Sequence, residues 1–306
     1  MKPTDRVIAQ NVSLCAPRVA LFGNCHQPAK SAAAVQVLSA LQVLQADLWI
    51  EEEFATFLQK QIGGALPPYN IILCNQPVRA ELALSLGGDG TFLRTASRVG
   101  ASGIPILGIN TGHLGFLADA MPNEAADVLQ EWAEGHYTIE ERSLIVVEAD
   151  GTPLQGSPYA LNEVAVLKHD NSSLINILTH IGTDLLTDYA ADGLIVSTPT
   201  GSTGYSLSTG GPIISPVSHS FCLSAVAPHS LSIRPVIVND DVEITLHVRS
   251  RTGSFLLSID GRSETLAADT TIRLRRADHT VRVMKIRHPN FYDTLRTKMH
   301  WGTRFQ

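Results

Sequence analysis

Along the first third of the chain, short runs of consecutive apolar residues alternate with longer stretches in which apolar residues recur every three to four positions. Arg18 to Gly23 (RVALFG) is a run of the first kind that ends in glycine, and it predicts a buried strand. From about Lys30 to Gln45, Val35, Leu38, Leu41 and Leu44 recur at three-residue steps with Val37 and Val43 beside them, which predicts a helix with one wide apolar face. Asp47 to Ile50 predicts the next strand and Glu51 to Ile62 the next helix, followed by a GGALPPYN turn. LALSLGGDG (Leu82 to Gly90) runs apolar into glycines, the form of a buried parallel strand entering a phosphate-type turn, and IPILGIN (Ile104 to Asn110) repeats it. Strands and helices alternating on this spacing predict a parallel sheet covered by helices on both faces.

The pattern changes after Pro122. A helix over Glu124 to Glu134 leads into YTIEERSLIVVEA, YALNEVAVLK, LINILTHIG, LLTDYAADGLIVST, FCLSAVA, RPVIV, VEITLHV, SFLLSID and TIRLRRA. These segments have no helical period, many β-branched residues and frequent turn residues, and they predict an all-β domain of stacked or wrapped antiparallel sheets. FYDTLRTKM (Phe291 to Met299) becomes helical again, with Phe291, Leu295 and Met299 on one stripe expected to pack back on the first domain. The expected division is therefore an α/β phosphate-binding domain over residues 1–122, rejoined by 288–306, and a β-rich domain over 123–287.

Composition narrows the function. The chain has 306 residues, 44% of them hydrophobic and 17% charged, the make-up of an ordinary folded protein with room for two domains. A formal net charge of -6 argues against nucleic acid or an anionic membrane as a general partner, since both need a basic surface that displaces counterions. No apolar run approaches the roughly 20 residues of a membrane helix, and MKPTDRVIAQNVSLCAPRV lacks the continuous apolar stretch of an export signal, so a cytoplasmic location is expected. Cys15, Cys25, Cys74 and Cys222 have no paired close spacing; neither a zinc cluster nor a disulfide framework is indicated, and all four are expected to be reduced and buried.

Two constellations carry chemistry. Gly87, Gly88, Asp89, Gly90 and Thr91 form GGDGT between a buried strand and a helix. Three glycines let the backbone come within hydrogen-bonding distance of a phosphate, and the following helix presents free N–H groups to its charge. Asp89 is the informative member, because a carboxylate beside polyphosphate is repelled unless it takes a proton or holds a metal ion. A plain Gly-Asp-Gly turn is the alternative. Neither GxxxxGK[ST] nor a GxGxxG opening the first βα unit is present, which favours a kinase of another class over a hydride-transfer enzyme. The second constellation, DGLIVSTPTGSTGYSLSTGGPI (Asp192 to Ile213), delivers a strand into a loop dense in glycine and small hydroxyls, a composition suited to a polar ligand.

GGDGT, then GINTGHLGFL (Gly108 to Leu117), ALNEV (Ala160 to Val164), DGLIVSTPTGSTGYSLS and SIRPVIV (Ser232 to Val238), in this order and at these distances, closely resemble the NAD kinases over nearly the whole chain. GGDGT alone is shared with lipid kinases and phosphofructokinases; the long Asp192 to Ser208 motif with the Asn-Glu pair is far more specific. The resemblance implies an N-terminal α/β domain and a C-terminal β domain with NAD in the crevice between them, in a homodimer or homotetramer. It implies transfer of the terminal phosphoryl of ATP, with Mg²⁺, to the 2′-hydroxyl of the adenosine ribose of NAD. Asp89 is then the catalytic carboxylate, Gly87, Gly88, Gly90 and Thr91 approach the nucleotide, and Arg94 meets phosphate. Asn162 and Glu163 grip NAD, Asp192 holds an exocyclic amine or carboxamide, and Thr203, Gly204, Tyr205, Ser206, Leu207 and Ser208 line the adenine side, with Tyr205 free to stack. Asp260 lies near the acceptor ribose. Without the resemblance, Asn162 reads as a turn residue, Tyr205 as core and Asp260 as a hairpin aspartate.

Three departures stand out. Gly204 stands where many relatives carry alanine, Ala190-Ala191 where they often carry a basic residue, and Phe92 where they carry a smaller aliphatic one. The second puts any grip on ligand charge from that side in doubt, and with it strict choice of NAD over NADH. His113, in the glycine-rich turn, could approach phosphate, whereas His169, His180 and His247 read as structural. A lipid kinase of the diacylglycerol or sphingosine type shares the glycine-aspartate loop but needs an apolar groove, which the hydroxyl-rich loop opposes. A non-catalytic dinucleotide sensor would lose the carboxylate, and Asp89 is present.

Overall fold

The structure is a computed structural model that describes residues 16–25, 31–62, 66–112, 115–118, 120–169, 174–286, 291–300 and 302. Consecutive apolar residues bury both faces of the first strand, β1 (Arg18–Gly23), and the chain continues through α1 (Ser31–Val43), β2 (Asp47–Glu51), α2 (Glu52–Ile62), β3 (Asn70–Ile72), β4 (Leu82–Leu86), α3 (Asp89–Val99), β5 (Ile106–Ile109), α4 (Ala125–Ala133) and β6 (Thr138–Arg142). It then runs through β7 (Ile145–Ala149), β8 (Tyr159–Ala160), β9 (Glu163–Lys168), β10 (Ile175–Ile181), β11 (Asp184–Ala191), β12 (Gly193–Ser197), a short helix α5 (Tyr205–Ser208), β13 (Ser220–Val226), β14 (Val236–Asn239), β15 (Ile244–Arg249), β16 (Ser254–Ile259), β17 (Arg262–Ala267) and β18 (Thr271–Arg276), and ends with β19 (Val281–Lys285) and α6 (Phe291–Met299).

Two compact units result: 1–141 with 281–306, and 142–280. The first has a seven-stranded sheet in the order β3-β2-β1-β4-β5-β19-β6, in which β1 to β5 and β19 pair in parallel. Its core joins Val37, Leu38 and Leu41 of α1, Phe54 and Leu58 of α2 and Val128, Leu129 and Trp132 of α4 to the sheet residues Leu21, Ile50 and Leu84. The second unit has two six-stranded sheets, β11-β10-β15-β18-β7-β8 and β14-β13-β12-β9-β16-β17, whose resolved pairings are antiparallel. Ile177, Leu246 and Leu274 of one sheet share a single core with Val166, Leu194, Phe221 and Phe255 of the other, so the sheets stack face to face.

The expected classes hold, α/β with a parallel sheet followed by all-β, but the boundaries fall at 141/142 and 280/281 and not at 122/123 and 287/288. The helix after Pro122 packs into the first core, and β6 and β19 complete the first sheet. A strand's own pattern shows that it is half buried but not which sheet takes it. Val35 and Val43, placed on the apolar face of α1, are 41% and 85% exposed; Ala34 and Ala40 fill the buried face in their stead. Of the cysteines, only Cys222 is buried among the described residues; Cys25 is half-buried, Cys74 is exposed, and Cys15 lies outside the described residues. No helix among the described residues is long and apolar enough to cross a membrane.

Candidate active site

In the first unit β1 and β4 are neighbours, with β2 and β3 beyond one and β5 beyond the other. The chain thus winds outward in both directions from the β1/β4 pair, a topological switch point of the kind at which open α/β sheets bind ligands beyond the strands' carboxyl ends. GGDGT occupies that end of β4. The Gly87 N–H donates to the Ile109 carbonyl at 2.9 Å and the Asn24 N–H to the Leu86 carbonyl at 3.1 Å, fixing the two strand ends. Gly88 is the extended N-cap of α3 and no side-chain hydrogen bond caps that helix, so its first N–H groups and its positive dipole end are left without a capping side chain.

Asp89, the first residue of α3, turns its carboxylate to the 115–117 segment. Oδ2 accepts the Phe116 N–H at 3.0 Å and Oδ1 the Leu117 N–H at 3.2 Å. A Cβ on Gly115 would stand 2.0 Å from Oδ1, so only glycine lets the loop come this close. Gly87 and Thr91 are buried, Gly88 and Asp89 are partly exposed, and Gly90 is exposed. Arg94 donates from Nη2 to the Gly23 carbonyl at 2.7 Å and stands at the end of β1. His113 lies outside the described residues.

In the second unit the Asn-Glu pair begins β9. Asp260 and Gly261 form the two-residue turn between β16 and β17, both with positive φ (47° and 80°), as a right-twisted hairpin requires. The hairpin reading of Asp260 and the site reading meet here. Asp260 Oδ2 accepts the Leu161 N–H at 2.7 Å, and Oδ1 accepts those of Asn162 and Glu163 at 2.8 and 3.1 Å. Asp260 therefore aims the pair. Its buried carboxyl is pushed above the usual range by desolvation, against which the three N–H groups act.

Asn162 Oδ1 and Glu163 Oε2 are both buried with no hydrogen-bond partner in the structure. Two such acceptors side by side are costly unless a ligand's donors reach them. Desolvation, then the nearby Asp260 charge, raise the Glu163 carboxyl to about 7, while the Tyr205 N–H opposes the rise. The hydroxyl-rich loop lies against this pair. Thr198 donates from its N–H to the Asn162 carbonyl (2.9 Å) and from its hydroxyl to the Leu161 carbonyl (2.6 Å). A Cβ on Gly201 would overlap the Asn162 carbonyl at 2.0 Å, and one on Gly204 would approach Glu163 Oε2 at 2.9 Å.

Several of the loop's hydroxyls hold bonds within the protein. Ser202 bonds the Pro199 carbonyl (2.7 Å) and receives the Ile214 N–H (3.0 Å), and Ser206 is buried against Ser224 Oγ at 3.2 Å. Thr203 turns its hydroxyl to the Thr200 carbonyl at 3.4 Å. Tyr205, 40% exposed, is not core, and Ser208 is exposed beside the half-buried Leu207. Asp192 pairs with Lys168 Nζ at 2.7 Å. This lysine, from the end of β9, places a cation beside Asp192 although Ala190 and Ala191 carry none; strand pairing brings it there, and no local motif signals it. His180 and His247 meet edge to face at 6.0 Å, and no group of three or more His, Cys, Asp or Glu side chains among the described residues could hold a metal ion.

Known proteins resemble this chain in both of its halves. The family model of the ATP-NAD kinase N-terminal domain matches residues 26–137, and that of the ATP-NAD kinase C-terminal domain matches residues 161–286. An NAD kinase of Bacteroides fragilis is 50% identical over 285 residues, which span 93% of this chain and 98% of the relative. One from Porphyromonas gingivalis is 43% identical over 286 residues, with the same coverage. Among solved structures, a yeast NADH kinase complexed with NADH aligns over 95% of this chain and 89% of its own with a TM-score of 0.83 at 24% identity, a likeness of fold. An NAD kinase from Archaeoglobus fulgidus in complex with ATP aligns over 88% and 94% with a TM-score of 0.67 at 25% identity. Matches in both halves and identity along nearly the full length leave one assignment: the chain belongs to the ATP-NAD kinase family.

Proposed function

We propose that the protein transfers the terminal phosphoryl group of ATP to the 2′-hydroxyl of the adenosine ribose of NAD, giving NADP. Membership of the family supports the reaction, and the observation that carries the assignment of residues is the pair of buried, unpartnered acceptors at Asn162 and Glu163. Such a pair calls for donors, which the hydroxyls and exocyclic amine of a dinucleotide supply. Asp260 acts indirectly, through the backbone of residues 161–163. Asp192 with Lys168, and the segment from Thr203 to Ser208, complete the dinucleotide grip, with Tyr205 as the stacking surface.

Asp89 accepts the proton of the attacking hydroxyl, held for this by the N–H groups of Phe116 and Leu117. Gly88, Gly90 and the open N-terminus of α3 take up phosphate charge, joined by Arg94. Mg²⁺ accompanying ATP would be held chiefly by the nucleotide, as a hard ion that keeps few protein ligands, with Asp89 the one carboxylate of GGDGT open to it, and it would supply neutralisation of the charge that develops on transfer. The family resemblance also supports a homodimer or homotetramer and a cytoplasmic location. Incubation with NAD, ATP and Mg²⁺, with NADP read by a coupled dehydrogenase, tests the reaction. Polyphosphate in place of ATP and NADH in place of NAD define donor and acceptor. If no NADP forms under any pairing, the proposal fails.

A further inference from the structure

We infer that Lys298, near the end of the C-terminal helix, is a positioning residue of the transfer centre that acts through Asp89. The inference rests on the reading of Asp89 given above. Lys298 Nζ lies 4.0 Å from Asp89 Oδ2 and 4.3 Å from the centroid of the Phe116 ring, and its side chain is only 13% exposed. Phe116 is also the residue whose N–H bonds that same Oδ2. One carboxylate oxygen thus meets a backbone donor and an ammonium, and the ammonium is seated on the ring of the residue that donates.

The contact ties α6 to the GGDGT loop within the first unit. The stripe of Phe291, Leu295 and Met299 that the sequence offers as a docking face is not buried, and the helix buries none of its residues. Lys298 is what α6 brings to the GGDGT loop. Its chemistry fits the need there, for a carboxylate placed beside a polyphosphate is repelled by the donor's own charge. A cation within 4 Å, shielded from water and held by a ring face, offsets that repulsion and restrains the carboxylate. GGDGT is not followed by the lysine that a P-loop carries, and Arg94, one turn into the helix, is bonded to the Gly23 carbonyl.

The test is a double-mutant cycle of K298M and D89N, with K298R and K298Q alongside, each measured at varied NAD and varied ATP. K298M is expected to lower kcat about tenfold or more with the NAD Michaelis constant within about twofold, and K298R to recover kcat to within about threefold of wild type. In the D89N background K298M should change kcat by less than about twofold, because the group through which it acts has lost its charge. Should K298M fail to fold, judged by its thermal transition, K298Q against K298R gives the same comparison. Wild-type kcat in K298M, or an equal loss with and without D89N, overturns the inference. A D89N enzyme within about tenfold of wild type would instead remove Asp89 itself from the chemistry, a separate failure.

Discussion

Asp89→Asn keeps the side chain's size and one acceptor for the N–H groups of Phe116 and Leu117, and loses the capacity to take a proton. Turnover should fall at least about a hundredfold while NAD affinity stays within a few-fold. Asn162→Ala and Glu163→Ala should act on the other substrate, raising the NAD Michaelis constant and leaving that for ATP nearly unmoved, because each removes an acceptor from a buried pair. Equal effects on both substrates would detach the pair from the dinucleotide. The pH dependence has a definite sign. With the Glu163 carboxyl raised to about 7, it takes up a proton as pH falls through neutrality, and a diol donating both hydroxyls needs the ionised form. The NAD dissociation constant should therefore rise on going from about pH 8 to about pH 6, by up to about tenfold, and Glu163→Gln should flatten the profile. Calorimetric titration at both ends decides it. Of these residues, Asp89 and the Asn-Glu pair are readable because they sit in contiguous motifs. Asp260 as the brace of that pair, Lys168 beside Asp192 and Lys298 beside Asp89 are not, since each contact joins positions far apart in the chain.

At the scale of elements, legibility follows burial. β4 and β12 have every residue buried, and runs such as LALSL and GLIVS announce strands without any knowledge of neighbours. β17 (RSETLA) buries only Leu266 on the edge of its sheet, and β3 is three residues long at the edge of its own, so neither carries a pattern above its surroundings. The hydroxyl-rich loop was legible as a special segment, but several of its hydroxyls hold bonds within the protein, which composition alone cannot distinguish from ligand contact. α3 illustrates a departure from the family pattern that packing explains. Phe92 has no exposed surface and follows directly on GGDGT, so the helix that presents Asp89 is anchored by this ring. Phe92→Ala should destabilise the first unit by about 3 to 5 kcal/mol, measured by denaturant unfolding. A loss below about 1 kcal/mol would mean that the ring anchors nothing.

For the whole molecule, chain order and spatial order differ. The second unit is one continuous segment, 142–280, with a core of its own, whereas the first is assembled from 1–141 and 281–306. Within the first unit β19 lies between β5 and β6, and Val281, Val283, Met284 and Lys285 are all buried there. Without it, β5 loses a parallel partner, β6 loses its place in the sheet, and a row of backbone N–H and C=O groups is left unpaired in what was the sheet's interior. A chain ending at Thr280 should therefore lose the cooperative unfolding of its first unit and keep that of the second. The segment Arg142–Thr280 made alone should fold, since both of its sheets and its core lie within the segment. Circular dichroism and thermal melting of the two truncated chains, beside the full one, separate the cases. If the chain ending at Thr280 still melts with the full-length first transition, β19 is dispensable. If Arg142–Thr280 shows no cooperative transition, a stacked pair of six-stranded sheets with its own core is not sufficient, and the second unit depends on the first for its stability.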